Sequence, residues 1–126
     1  MKNSILIVDD DKFLLDMYAL KFKECGYQVE IASGGADAIA KLSNDYHPDI
    51  ILMDVVMPAM DGFELIAELK KKNLIPNTTV VILSNLGQKD DIEKGMKCGA
   101  AGYIIKASCT PSEVVNKVAD ITNLKK

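Results

Sequence analysis

Five short apolar runs punctuate the chain: Ile5-Leu6-Ile7-Val8, Val29-Glu30-Ile31-Ala32, Ile50-Ile51-Leu52-Met53, Val80-Val81-Ile82-Leu83 and Tyr103-Ile104-Ile105. Most do not alternate with polar residues, which is how strands covered on both faces read. The segments between them carry helical spacing. Leu14, Met17, Tyr18 and Phe22 mark a first helix, Ala36, Ile39, Ala40 and Leu42 a second, and Phe63, Leu65, Ile66 and Leu69 a third. Ile92 and Met96, with Leu86 at the margin, mark a weaker fourth, and Val114, Val115, Val118 and Ile121 a fifth. The punctuation agrees. Gly26 stands where the first helix should stop. Lys70-Lys71-Lys72 suits the end of the third, where cations meet the helix dipole favourably. Thr110-Pro111-Ser112-Glu113 combines an N-cap threonine, a proline at the first helical position and a glutamate three residues after the cap. Asp45 to Pro48 and Leu74 to Asn77 read as turns into strands.

This alternation predicts an α/β, doubly wound fold: a five-stranded parallel sheet with helices on both faces, because parallel neighbours need right-handed crossovers. Ligands of such open sheets bind outside the carboxyl ends of the strands. The residues just after each strand are therefore the candidates for chemistry. Asp9-Asp10-Asp11 follow the first strand, Asp54 the third, and Ser84 and Lys106 end the fourth and fifth. Taken singly, Asp11 reads as a helix N-cap, Ser84 as a turn residue and Lys106 as a surface lysine. Asp54 resists such a reading, because it directly follows four apolar residues and a buried carboxylate is costly without a partner. Clustered carboxylates without histidine or thiolate suit a hard cation such as Mg²⁺. With a lysine and a hydroxyl opposite, the set matches phosphoryl transfer, with Asp54 as the nucleophile forming an acyl phosphate.

Composition narrows the partners. The 126 residues carry 15 basic and 18 acidic side chains, a net charge of −3, and every basic residue is lysine. Direct nucleic-acid binding is not expected without a basic stripe or arginines. Cys25, Cys98 and Cys109 have neither redox nor metal-ligand spacing, and read as reduced thiols. No signal peptide precedes the first strand, and no apolar run approaches the roughly 20 residues that span a bilayer. A cytoplasmic protein without membrane contact is expected, folded as one domain over residues 1–126 with no attached effector.

Val8-Asp9-Asp10-Asp11, the stretch Pro48-Asp49-Ile50-Ile51-Leu52-Met53-Asp54-Val55-Val56-Met57-Pro58-Ala59-Met60-Asp61-Gly62, Ser84, and Gly102-Tyr103-Ile104-Ile105-Lys106 together resemble the receiver domain of two-component response regulators, in a stand-alone, chemotaxis-receiver-like form. The resemblance implies a flavodoxin-like (βα)5 fold with strand order 2-1-3-4-5. It implies that Asp54 accepts a phosphoryl group from a histidine kinase or a phosphotransfer protein. Asp9, Asp10 and Asp54, with the Val56 backbone carbonyl, would hold Mg²⁺. Ser84 and Lys106 would contact the phosphoryl group, and Ser84 and Tyr103 would act as the switch. The fourth helix, fifth strand and fifth helix would form the surface read by a downstream protein. The chain would be a monomer or a weak phosphorylation-dependent dimer, with no enzymatic activity beyond self-phosphorylation and slow autodephosphorylation.

Two residues depart from the family pattern. Ala107 stands where proline usually follows the lysine through a cis bond. The Lys106-Ala107 bond is therefore either cis at a cost of about 2.5–4 kcal/mol, or trans with Lys106 placed differently. Asn85 stands where a small residue is usual, and can either crowd the entrance or hydrogen-bond at it. Val56 and Leu86 flank the path of attacking water in the family; both are apolar here, so a comparatively long-lived phosphorylated form is expected. Two rival readings remain. A pseudo-receiver would bind partners without phosphorylation, against which the intact acid cluster speaks. A haloacid-dehalogenase-like phosphohydrolase would need an acid where Val56 stands and a later acidic metal motif. The remaining features read as structural: His47 as a loop residue beside Pro48, Gly34-Gly35 as the turn into the second helix, and Met53, Met57, Met60 and Met96 as packing residues.

Overall fold

The computed structural model describes residues 3–124; Met1, Lys2, Lys125 and Lys126 of the expected 1–126 domain lie outside the described residues. Strands and helices alternate strictly: β1 (Ser4–Val8), α1 (Lys12–Glu24), β2 (Gln28–Ala32), α2 (Gly35–Ser43), β3 (Ile50–Met53), α3 (Gly62–Lys71), β4 (Thr79–Ser84), α4 (Lys89–Lys97), β5 (Gly102–Ile105) and α5 (Pro111–Leu124). The sheet order is β2-β1-β3-β4-β5 and every pair is parallel, as the resemblance implies.

Side chains alternate across each strand, so one run of apolar residues serves two cores. Leu6, Val8, Ile51, Met53, Val80 and Ile82 face α2 and α3, packing on Ala38, Leu42, Leu65, Ile66 and Leu69. Ile5, Ile7, Ile50, Leu52, Val81 and Leu83 face α1 and α5, packing on Leu15, Tyr18, Phe22, Val114 and Val118. The edge strands differ from the expectation of double burial. In β2, Gln28 and Glu30 are exposed, and β5 alternates buried with half-buried positions.

The helix ends behave as their sequences require. Asp11 caps α1, its Oδ1 accepting from Leu14 N at 3.2 Å. Asp61 and Glu64 form a reciprocal capping box on α3. Thr110 and Glu113 do the same for α5, Glu113 Oε1 accepting from Thr110 N at 2.8 Å and Thr110 Oγ1 from Glu113 N at 3.2 Å. Gly26 adopts φ +94° just after α1, and Lys70 and Lys71 occupy the last turn of α3. His47 is an exposed loop residue paired with Asp45, and Gly34 is the N-cap of α2.

Some expected core positions are displaced. Ala36 and Ala40 of α2 are exposed, whereas Gly35, Ala38 and Leu42 are buried. Leu14 is half-buried and its neighbour Leu15 takes the core position. Met96 is not a packing residue, being 46% exposed. Indeed α4 has little apolar anchorage: its buried residue is Gly95, seated so closely that a Cβ there would lie 2.8 Å from Ile82 Cδ1 and 3.0 Å from Tyr103 Cδ2. Polar tethers supplement this contact. Lys70 of α3 donates to the Cys98 carbonyl at the α4 C-cap, and the Lys94 ammonium lies 4.6 Å from the centre of the Phe63 ring.

Gly62 locks α3 against the end of β3. Its N–H donates to the Val55 carbonyl at 2.8 Å, and a Cβ would stand 2.6 Å from the Asp54 carbonyl oxygen and 2.8 Å from Val55 Cα. Both obstacles are backbone, so a side chain cannot be accommodated by a rotamer change. Gly62→Ala is therefore expected to cost about 1–3 kcal/mol in urea unfolding, as overpacking does. An unchanged midpoint would show that the contact behind Asp54 yields freely.

Candidate functional site

Strand register builds the site. Val8 pairs with Met53 across β1 and β3, so the next residues, Asp9 and Asp54, emerge side by side. Asp54 N donates to the Val8 carbonyl at 3.0 Å and Asp9 N to the Ala32 carbonyl at 3.2 Å, extending the ladder to the acidic residues themselves. On the other side Ser84 pairs with Ile105, which directs Lys106 toward the same edge.

Lys106 joins the two strand ends. Its Nζ donates to Asp9 Oδ2 at 2.7 Å and to Asp54 Oδ2 at 2.8 Å, and its side chain is only 8% exposed. The second oxygen of each carboxylate meets backbone. Asp9 Oδ1 accepts from Asp11 N at 2.9 Å, and Asp54 Oδ1 accepts from Val55 N at 2.7 Å and Val56 N at 3.2 Å. Charges so buried persist only when paired and hydrogen-bonded in this way. Burial raises the Asp9 carboxyl above its ordinary value, opposed by the Lys106 bond and the Asp11 N–H and reinforced by the Asp54 charge. Burial alone would lower the Lys106 ammonium, but the bonds and charges of Asp54 and Asp9 outweigh it and hold the value up.

Asp10 is exposed and completes the cluster: carboxylate oxygens of Asp9, Asp10 and Asp54 lie within 4.8 Å of one another. A donor set of carboxylates without histidine or thiolate fits a hard cation such as Mg²⁺. Val56 stands just beyond, 57% exposed, in the loop after β3. Ser84 is fully buried, and its Oγ accepts from Leu86 N at 3.3 Å. Tyr103 is half-buried on β5, its hydroxyl donating to the Leu86 carbonyl. Burial raises the Tyr103 phenol above its ordinary value, with the Asp91 charge adding to the effect. The fold thus brings Asp9, Asp10, Asp54, Ser84 and Lys106 to one edge, with Tyr103 reaching the same β4–α4 loop as Ser84.

The two departures in sequence prove to be in contact. Among the described residues no peptide bond is cis, so Lys106-Ala107 is trans, and Lys106 nonetheless reaches both carboxylates. Asn85 hydrogen-bonds to the turn after β5. Its Oδ1 accepts from Ala107 N at 2.8 Å. A residue not singled out beforehand as part of the site is Tyr18 of α1. It is buried, and the charges of Lys106, Asp9 and Asp54 act on its hydroxyl, with burial the dominant influence raising its ionisation. Its helical spacing reads as core alone, so no sequence signal distinguishes it.

The family model of the response regulator receiver domain matches residues 5–119. The chain is 31% identical over 121 residues to the chemotaxis protein CheY of Halobacterium salinarum, covering 96% of this chain and 98% of that protein. It is 36% identical over 123 residues to the chemotaxis protein CheY of Thermotoga maritima, covering 94% and 99% respectively. Among solved structures, the receiver domain of Francisella response regulator 1452 matches with TM-score 0.85 and 32% identity, over 99% of this chain and 100% of that one. Other relatives are longer regulators, of which the chain spans from 13% to 57%.

Three carboxylates and one ammonium leave the edge with surplus negative charge.

Asp10 lies outside the Lys106 pairing, so it contributes mainly repulsion. Asp10→Asn is expected to raise stability by about 1 kcal/mol in chelator-treated, low-salt buffer, and the gain should shrink as salt screens the cluster. Equal or lower stability of the variant under those conditions would contradict the surplus-charge account.

Proposed function

The chain belongs to the response regulator receiver domain family, and from that premise we propose that Asp54 accepts a phosphoryl group from a histidine kinase or a phosphotransfer protein. The observation that carries this reading is the position of Lys106, one ammonium bonded to Asp54 and to Asp9 beside a third carboxylate. Receiver domains are generally signalling rather than enzymatic domains, and they interact with histidine kinases and downstream effectors.

The step balances simply. A carboxylate oxygen of Asp54 attacks phosphorus, the bond from phosphorus to the donor's nitrogen or oxygen breaks, and the product is an acyl phosphate. What the protein must supply is positioning and neutralisation of charge. Lys106 brings a positive charge against the acceptor. Ser84 Oγ uses a lone pair on Leu86 N, which leaves its proton able to reach a phosphoryl oxygen. Receiver domains bind Mg²⁺ at an acidic pocket, and here Asp9, Asp10 and Asp54, with the Val56 carbonyl, are the proposed ligands. When bound, the metal adds positive charge against the phosphoryl oxygens.

Tyr103 and Ser84 meet the same short loop, one at the Leu86 carbonyl and the other at its N–H. A Ser84 drawn toward a phosphoryl group would therefore disturb the anchor of Tyr103. This supports Ser84 and Tyr103 as the switch, and α4, β5 and α5 as the surface a downstream protein reads. The proposed protein is a single domain over residues 1–126 acting in the cytoplasm through protein contacts, as a monomer or a weak phosphorylation-dependent dimer. It is assigned no direct contact with nucleic acid or membrane. Its acidic, arginine-free composition is consistent with that, and no helix among the described residues is long and apolar enough to cross a membrane.

Incubation with acetyl phosphate and MgCl₂ should add one phosphoryl group by intact-mass measurement. Asp54→Asn and chelation of the metal should each abolish the addition. An unmodified native protein would sink the reading and favour phosphorylation-independent binding, and steady turnover of small phosphate esters would favour a phosphohydrolase. Val56 and Leu86 offer no polar atom beyond backbone to orient water, so the phosphorylated form should persist for minutes or longer after donor removal. Decay within seconds would refute that expectation.

A further inference from the structure

The contact between Asn85 and Ala107 lies at a particular place in the ladder. β4 and β5 pair in parallel, and their register ends with Ser84 opposite Ile105. One step further along, backbone pairing stops. The chain after β5 tightens into a one-turn 3-10 helix, Lys106–Ser108, closed by Cys109 N on the Lys106 carbonyl at 3.2 Å. The first N–H groups of such a turn have no partner inside it. Ala107 N is one of them, and the Asn85 carboxamide accepts from it at 2.8 Å.

That bond flanks Lys106. On one side Ile105 is fixed by the sheet, and on the other Ala107 is fixed by Asn85. Only the lysine stem remains between this backbone and the two carboxylates that Nζ meets at 2.7 and 2.8 Å. The donor exists because residue 107 is not proline, which has no N–H to give. The acceptor exists because residue 85 carries a carboxamide, where the usual small residue would offer none. The two departures from the family pattern are therefore complementary halves of one contact.

We propose that Asn85 is a positioning residue for Lys106, its carboxamide holding the Ala107 amide so that a trans, non-proline turn still delivers the ammonium between Asp9 and Asp54. The proposal concerns the receiver chemistry proposed above and rests on it for its kinetic consequence. Its structural half stands in the unphosphorylated protein. The hydrogen bonds of Asp9 and Asp54 go to Lys106 and to backbone N–H groups and not to Asn85, which acts through the turn.

The test uses the full chain labelled with nitrogen-15, as native protein and as Asn85→Ala, Asn85→Asp, Ala107→Pro and Asn85→Ala/Ala107→Pro. Two signals are read without phosphorylation: solvent exchange of the Ala107 amide, and of the Lys106 ammonium. Asn85→Ala should speed both about fivefold or more. Asn85→Asp keeps an acceptor oxygen and should restore slow exchange of the Ala107 amide. With acetyl phosphate and MgCl₂, Asn85→Ala should slow phosphorylation about fivefold, equivalent to roughly 1 kcal/mol. Ala107→Pro should slow it comparably, and the double variant should be no slower than the slower single variant, since both remove one contact.

Unchanged exchange at Lys106 in Asn85→Ala would overturn the proposal, and so would single-variant losses that multiply in the double variant. Faster exchange at Ala107 with an unaltered phosphorylation rate would also overturn it, because the contact would then brace the loop without serving the lysine. If the native protein takes up no phosphoryl group, the function proposed for Asp54 falls, and the Lys106 exchange measurement alone decides whether Asn85 positions the lysine.

Discussion

A single ammonium bridging two buried carboxylates is the interaction on which this edge of the molecule depends. Asp9 and Asp54 come from adjacent strands and would repel one another at this depth without Lys106 between them. Isolated ionised groups removed from water are unfavourable by several kcal/mol each, so the three side chains are stable only as a set. The fold provides the set by register alone. β1 and β3 end level, which places the carboxylates together, and β5 ends beside β4, which brings the lysine within reach. Backbone N–H groups from residues 11, 55 and 56 occupy the remaining carboxylate oxygens. The arrangement is therefore held in place by the chain's own groups.

Much of this was legible in the chain because the legible features are those that burial dictates. The β1, β3 and β4 runs are apolar on both faces since helices cover both faces, and polar residues immediately beyond them stand out sharply. Asp9, Asp54 and Ser84 were recognisable on that ground, and Lys106 by its place after the fifth apolar run. The edge strands were harder, because Gln28 and Glu30 face solvent within a segment that otherwise resembles an inner strand. Helix phase failed in α2 for a simple reason: alanine is accepted both inside and outside, so Ala36 and Ala40 suggested a face that Ala38 in fact supplies. In α4 the buried residue is a glycine, which carries no apolar signal at all.

The Asn85 contact was illegible for a different reason. It depends on the path of the backbone after β5, and no periodicity encodes that path. What the chain did display was two departures from a family pattern, at residues 85 and 107, far apart in sequence. Parallel pairing of β4 with β5 makes them neighbours. Read separately each looked like a weakness of the site; in the fold, the amide that proline would remove meets the carboxamide that a small residue would omit.

The sparse anchorage of α4 has a wider consequence. A glycine contact, a lysine on a terminal carbonyl and a cation over a ring hold this helix with little buried apolar surface. Elements with few buried contacts open at the low end of a protein's local stability range. α4 contributes little apolar side chain of its own to the cores, although its Gly95 covers the buried Ile82. Its neighbour Tyr103 packs where Gly95 leaves room, so the ring lies directly against this sparsely anchored helix. The buried apolar contacts are thus concentrated on the sheet that carries the acid cluster, and α4 meets that sheet mainly through a glycine.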